Sequence, residues 1–454
     1  MSGAPVRFDD SLPRLVEVLI AELGSMHVTG GVVLRDAVGR LSFVSRTALE
    51  EHQVQRVEAV LRTALEVYAS PDQVLISPTE FGAESMLDDP EAMPCEVQGH
   101  LIQIVDRRIV GVDWLRRPAL RAAGPLRVVF ASSKGGVGRS TALSVMAAHL
   151  AGRGQRVLAI DLDLESPGLG AFLLTPETMP PFGMLDALVE RNLTALDDDF
   201  YRDLIGPSSL ATRGGRIDVV PGFGARSLAH PGDVLSKIAR AFTEHVPPEG
   251  NVETVLDKVR AVIDHLAGLT TYDVVLVDAR AGLHESTAAS LLGLGAEVLL
   301  FASDEQQSFD GYAALLSHLS RFVPAGTTTI PEWVDRLTVV HAKAEVDASR
   351  RQGFTERWQT MVDQHGPVRA EVSSDEVPLP AGFDDVPWND DADDAEVLPR
   401  ERALADVRVV LRDDRFAGFS PLVRRDQVAE EIYRGAFGNL IEWFESSLFP
   451  QSET

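Results

Sequence analysis

Six runs between residues 127 and 343 read as strands, and segments with helical spacing separate them. They are RVVFASS (127–133), RVLAIDLD (156–163), RIDVVPG (216–222), YDVVLVDA (272–279), EVLLFAS (297–303) and LTVVHAK (337–343). Several are apolar throughout. A strand with one wet face alternates apolar and polar residues, whereas a strand covered on both faces does not. Helices laid over both faces of a parallel sheet supply that cover. The expected fold class is therefore α/β, a doubly wound and mostly parallel sheet.

Residues 1–122 read as a smaller α+β unit ahead of that sheet, and 123–454 as the main domain. LPRLVEVLIAEL and LEEHQVQRVEAVLRTALEVY have helical spacing, and GGVVLRDAVGRLSFVS reads as two strands about a turn containing Gly39. HLIQIVDRRIVGVDWL is expected to form a second hairpin turning at Asp106–Arg107. No catalytic constellation is visible in 1–122, so a regulatory or partner-binding role is expected of it. The acidic stretch 383–397, FDDVPWNDDADDAEV, reads as a solvated loop, with a docking site around Trp388 as the alternative. Near the C-terminus, Phe437, Leu440, Ile441, Phe444 and Leu448 fall on one helical face. Acidic Glu442 and Glu445 accompany that face instead of basic residues, so it is expected to pack on protein and not on a membrane.

Composition narrows the function classes. The net charge of −26 opposes contact with nucleic acid and anionic membranes, and neither is expected as a partner. No apolar run reaches the ~18 residues of a membrane span. The single cysteine, Cys95, leaves no internal disulfide framework or zinc cluster. With no leader-like N-terminus either, the cytoplasm is the expected location. Only four lysines occur, Lys134, Lys237, Lys258 and Lys343, so arginine is the habitual cation of this chain.

Three motifs carry chemistry. SKGGVGRST (133–141) lies between the first strand and the helix-like STALSVMAAHLAG, the setting of a phosphate-binding loop. Gly135, Gly136 and Gly138 allow successive N–H groups to turn toward one anion, and the helix N-terminus adds partial positive charge. Ser140 would place its hydroxyl on Mg²⁺, and Thr141 would reach an inner phosphate. In VLAIDLDLESPGLG (157–170), Asp161 ends the strand and Asp163 follows it. A carboxylate there can orient or deprotonate water. In YDVVLVDARAGL (272–283), Asp278 ends a buried strand, where it would hold Mg²⁺ through water. Gly282 completes Asp-x-x-x-Gly and could offer its N–H to a terminal phosphate. Arg280 reads as an exposed switch residue, with phosphate-charge stabilisation as the alternative.

The loop resembles the deviant Walker A loop of the MinD/ParA family of P-loop ATPases, KGGxGK[ST][ST], and departs from it only at Arg139. VLAIDLD is similar to that family's VLLIDxD strand, and 291–319 resembles its next helix–strand–helix unit. The likeness spans about 125 to 345. It implies ATP and Mg²⁺ as cofactors, with nucleotide contacts at Gly135, Gly136, Val137, Gly138, Arg139, Ser140, Thr141 and Gly282. It implies metal contacts at Ser140 and Asp278. Lys134 matches the signature lysine that crosses a dimer interface to the partner's phosphates, and Asp163 the carboxylate beside the attacking water. No asparagine stands in VVHAKAEVD to read adenine, and Lys343 with Glu345 only loosely resembles a guanine-reading motif, so ATP is expected over GTP.

The function implied is an ATP hydrolase that forms an ATP-dependent homodimer and, in that state, recruits a partner protein. Its alternative is a nucleotide-sensing scaffold with little turnover, because Arg139 fits between phosphates differently from lysine. A tyrosine-kinase role lacks its tyrosine-rich tail, since Tyr433 alone follows Tyr312. The −26 charge disfavours a role in DNA partitioning.

Overall fold

Turn chemistry shapes the first unit. In the computed structural model, which describes residues 5–246, 252–323, 331–367, 404 and 406–449, strands β1 (Val32–Arg35) and β2 (Leu41–Val44) form the expected hairpin. Gly39 turns it in the left-handed region, at φ +98°. The second hairpin is not the one expected. It joins β4 (Met93–Val97) to β5 (His100–Asp106) through Gln98 and Gly99, at φ +50° and +79°. Two successive left-handed residues make the tight turn whose twist suits antiparallel strands, and Asp106–Arg107 offers none. With β3 (Leu75–Ile76) the sheet order is β3-β2-β1-β5-β4. The helices Phe8–Leu23 and Glu51–Leu65 cover it, enclosing Leu15, Leu19, Phe43 and Leu61.

The six apolar runs all become strands of a second sheet: β6 (Leu126–Ser132), β7 (Arg156–Asp161), β9 (Arg216–Val220), β10 (Val274–Ala281), β11 (Glu297–Ala302) and β12 (Leu337–Ala344). The short β8 (Gly206–Pro207) and β13 (Val407–Leu411) extend it to eight strands, ordered β13-β12-β11-β6-β10-β7-β9-β8. Every pairing is parallel except β8 with β9. Neither β8 nor β13 was expected from the sequence. The acidic stretch 383–397 lies outside the described residues.

Helices bury both faces, so two cores result. One holds Leu158, Val277, Leu300 and Trp358; the other holds Phe130, Ala159, Leu276 and Phe301. The second core receives the C-terminal helix Glu430–Trp443, whose Phe437, Leu440 and Ile441 are buried together with Phe444. That face packs on protein, as its acidic flanks predict. Among the described residues no helix is long and apolar enough to cross a membrane.

The connection between the two units is welded to the second. Trp114 enters its core, and the Ala119 and Ala122 N–H groups donate to the carbonyls of Leu292 (2.7 Å) and Gly295 (3.0 Å). Asp113, 2% exposed, accepts the Leu256 N–H at 2.7 Å at the start of the helix Val255–Leu269. Burial, aided by Glu285 and Asp257, pushes the Asp113 carboxyl up to about 6, against hydrogen bonds from Thr254 and Leu256.

A carboxyl whose folded pKa is raised stabilises the fold fully only below its unfolded value of about 4. That contribution is lost as pH rises through 6. Asp113→Asn keeps an acceptor for Leu256 and cannot ionise. The stability of the variant relative to the parent should therefore rise by on the order of 2–3 kcal/mol between pH 4 and pH 7, read from urea unfolding. A difference that stays flat across that range would refute the assignment.

Candidate nucleotide site

The loop after β6 takes its shape from two left-handed glycines, Gly136 at φ +78° and Gly138 at φ +92°. Gly138 is the N-cap of the helix Arg139–Gly152. A side chain at either glycine would strain the backbone. The loop is also held from outside. The β12–β13 register slips between Ala342 and Ala344, and Lys343 lies at that slip with φ +54°. A bulged residue re-aims its side chain, and Lys343 Nζ donates to the Gly136 carbonyl at 2.6 Å. This contact clamps the loop.

Strand register brings the carboxylates together. β10 lies between β6 and β7, and Asp278 pairs directly with Asp161. Asp161 accepts the N–H groups of Asp163 (3.1 Å), Gly168 (2.9 Å) and Leu169 (3.0 Å), so it fixes the chain that turns after β7. Burial raises the Asp161 carboxyl well above the usual range, and the Asp278 charge adds to this. Burial also raises Asp278, opposed chiefly by the Arg139 charge.

Arg139 is the centre of the arrangement. It is 7% exposed, and its Nε donates to Asp278 Oδ1 at 2.7 Å, its Nη2 to Asp163 Oδ2 at 3.0 Å and its Nη1 to Ser132 Oγ at 2.9 Å. Burial works against the guanidinium charge, but Asp278 and Asp163 outweigh it and raise its pKa.

Two cavities open on the loop. One, of 330 Å³, is lined by Gly136, Arg139, Ser140, Thr141 and Phe419. The other, of 560 Å³, extends from Val137 and Thr141 to Lys343, Val410, Leu411 and Phe416. They share Val137, Gly138, Thr141, Lys343 and Phe416. The wall formed by β13 and Phe416 went unread in the sequence, although VRVVL (407–411) is rich in β-branched residues.

The remaining expected residues are placed as follows. Gly135 lies on the loop itself, and Val137 is buried with the helix core. Lys134 Nζ is paired within the chain, on the Glu305 carboxylate. The Gly282 N–H donates to the Ser132 carbonyl at 2.9 Å. Arg280, expected to be exposed, is half-buried and reaches Glu165 at 2.7 Å. Ser140 and Asp278 are neighbours, and the Ser140 hydroxyl favours the ionised carboxylate. They do not fit a hydrated magnesium ion, however. Asp278 Oδ1 is taken by Arg139, and Asp278 Oδ2 is enclosed without a hydrogen-bond partner. Magnesium sheds water reluctantly and needs an accessible oxygen.

Residues 128–298 match the family model of the CobQ/CobB/MinD/ParA nucleotide binding domain. This segment is a MinD/ParA-like P-loop domain. Similar solved structures include MinD cell division protein from Aquifex aeolicus, at 16% identity and a TM-score of 0.39, over 72% of this chain and 98% of that one. A plasmid partition protein from Borrelia burgdorferi is 17% identical with a TM-score of 0.35, over 52% of this chain and 86% of its own. Cobyrinic acid a,c-diamide synthase from Mycobacterium smegmatis, solved with ADP and magnesium, is 17% identical with a TM-score of 0.35, over 52% and 82%. No match is found among curated proteins.

Within the MinD/ParA-like domain, Arg139 is the ion-pair partner of Asp163 and Asp278 among the described residues. Arg139→Ala should lower stability by about 3–5 kcal/mol, the usual cost of stripping one partner from a buried ion pair. Urea unfolding at pH 7 measures it. A loss below about 1 kcal/mol, as for an exposed pair, would show that the pair is not buried in solution.

Proposed function

We propose that the MinD/ParA-like domain binds ATP, with its phosphates on the loop 134–141 and its base in the larger cavity. The observation that carries this reading is that the two cavities meet at five residues, three of which, Val137, Gly138 and Thr141, lie at the N-terminus of the helix Arg139–Gly152, the others being Lys343 and Phe416. Loop N–H groups and the helix end favour an anion there, and 560 Å³ is within the range of small-molecule sites. ATP is preferred over GTP in this proposal because Lys343 is committed to the Gly136 carbonyl.

In the bound state the chain acts as a switch that dimerises and recruits a partner protein, with residues 1–122 as the regulatory or docking unit. Lys134 would exchange the Glu305 carboxylate for the phosphates of a second copy. Asp163 is the residue to orient an attacking water. Its Oδ2 is occupied by Arg139 and its Oδ1 lies 3.3 Å from the Ser166 N–H. That occupancy favours the second reading, a nucleotide-sensing scaffold with little hydrolysis, over rapid turnover.

Calorimetric titration should detect ATP binding, weaker GTP binding, and a loss of at least about tenfold in Gly138→Val, where a β-branched side chain meets a left-handed backbone. Unchanged ATP affinity in Gly138→Val would remove the proposed site. Light scattering with a non-hydrolysable ATP analogue tests the switch. The parent should dimerise, and Lys134→Ala should dimerise at least about fivefold more weakly while binding nucleotide normally, since it loses only a charge-assisted contact. A parent that stays monomeric at saturation contradicts the dimer.

A further inference from the structure

The family resemblance implies a divalent cation beside Asp278, and the geometry already holds a cation there. We infer that Arg139 is the resident cation of the Asp163–Asp278 pair, and that this site takes a nucleoside triphosphate without requiring a divalent metal. The inference rests on the nucleotide-binding reading above.

Position is the first argument. Arg139 lines the 330 Å³ cavity, and neither Asp163 nor Asp278 does. Arg139, which pairs with both carboxylates, is thus the member of that group that borders the space a phosphate would enter. A metal in that role bridges carboxylate and phosphate. A guanidinium has five N–H groups in a planar fork. Three are accounted for by Asp278, Asp163 and Ser132, and two remain. A fork that binds carboxylate on one edge can present N–H groups to phosphate on another.

Access is the second argument. The one Asp278 oxygen without a partner, Oδ2, is enclosed. Charge is the third. Asp161 is tied into three backbone N–H bonds, so the charge needing compensation sits on Asp163 and Asp278, and both are on Arg139. Lysine could not reproduce this, because one ammonium on an unbranched stem cannot span both carboxylates and Ser132 in a fixed plane.

The test is calorimetric titration of the full chain with ATP, in magnesium and again in excess EDTA, for the parent and Arg139→Lys. The parent affinity should change by less than about threefold on chelation. Arg139→Lys should lose at least about thirtyfold in EDTA and recover with magnesium, because a point charge leaves one carboxylate uncompensated and accessible. Should Arg139→Lys not fold, the parent titrated with and without magnesium still decides the inference by itself. A parent that loses more than about tenfold in EDTA overturns this inference and leaves the nucleotide reading intact. Absence of binding in both conditions overturns the nucleotide reading and this inference with it.

Discussion

One guanidinium ties together the three segments from which the site is built. Arg139 begins the helix after the phosphate loop, Asp163 follows β7 and Asp278 lies on β10 between them. Burying two carboxylates beside a third is unfavourable unless a cation compensates them. The parallel register that sets Asp278 opposite Asp161 creates that need. A planar fork answers it in one plane, and its third contact, Ser132, anchors it to the end of β6. Arginine, at the position of the family's usual lysine, is thus given a separate partner for each of its three nitrogens and is more than a compositional habit.

The loop is also governed from the opposite side of the sheet. Lys343 is forced into the left-handed region where β12 and β13 slip in register, and from there it holds the Gly136 carbonyl. β13 in turn rests on the C-terminal helix, and Asn439 of that helix accepts the Val409 N–H at 2.8 Å. His149, on the helix after the loop, meets Tyr433 Oη at 2.8 Å and Glu445 at 2.9 Å. The conformation of the glycine loop is therefore set by packing far from it in sequence.

What could be read from the sequence follows from range. Strands buried on both faces write themselves as apolar runs, and all six such runs are strands. The glycines of the loop and the acidic strand ends are local signals, and they gather at one end of β6. β13 was missed because it is a half-covered edge strand, with Val410 its one fully buried member. The second hairpin was misplaced because Asp-Arg resembles a turn, while the residues with the required backbone were Gln98 and Gly99. Contacts such as Lys134 with Glu305, Lys343 with Gly136 and Gly282 with Ser132 join distant positions or backbone groups, and no spacing rule announces them.

The wall of the larger cavity has a consequence for how the molecule comes into being. β12 and β13 are adjacent, yet more than sixty residues separate Ala344 from Val407. Parallel pairing across so long a separation must await costly loop closure, whereas the loop and its helix need only near neighbours. During synthesis the phosphate loop leaves the ribosome over two hundred residues before the strand that completes its pocket. The nascent chain thus carries the glycine loop well before the strand that lines its larger cavity. Pulsed hydrogen exchange during refolding would show 407–411 gaining protection after 126–152.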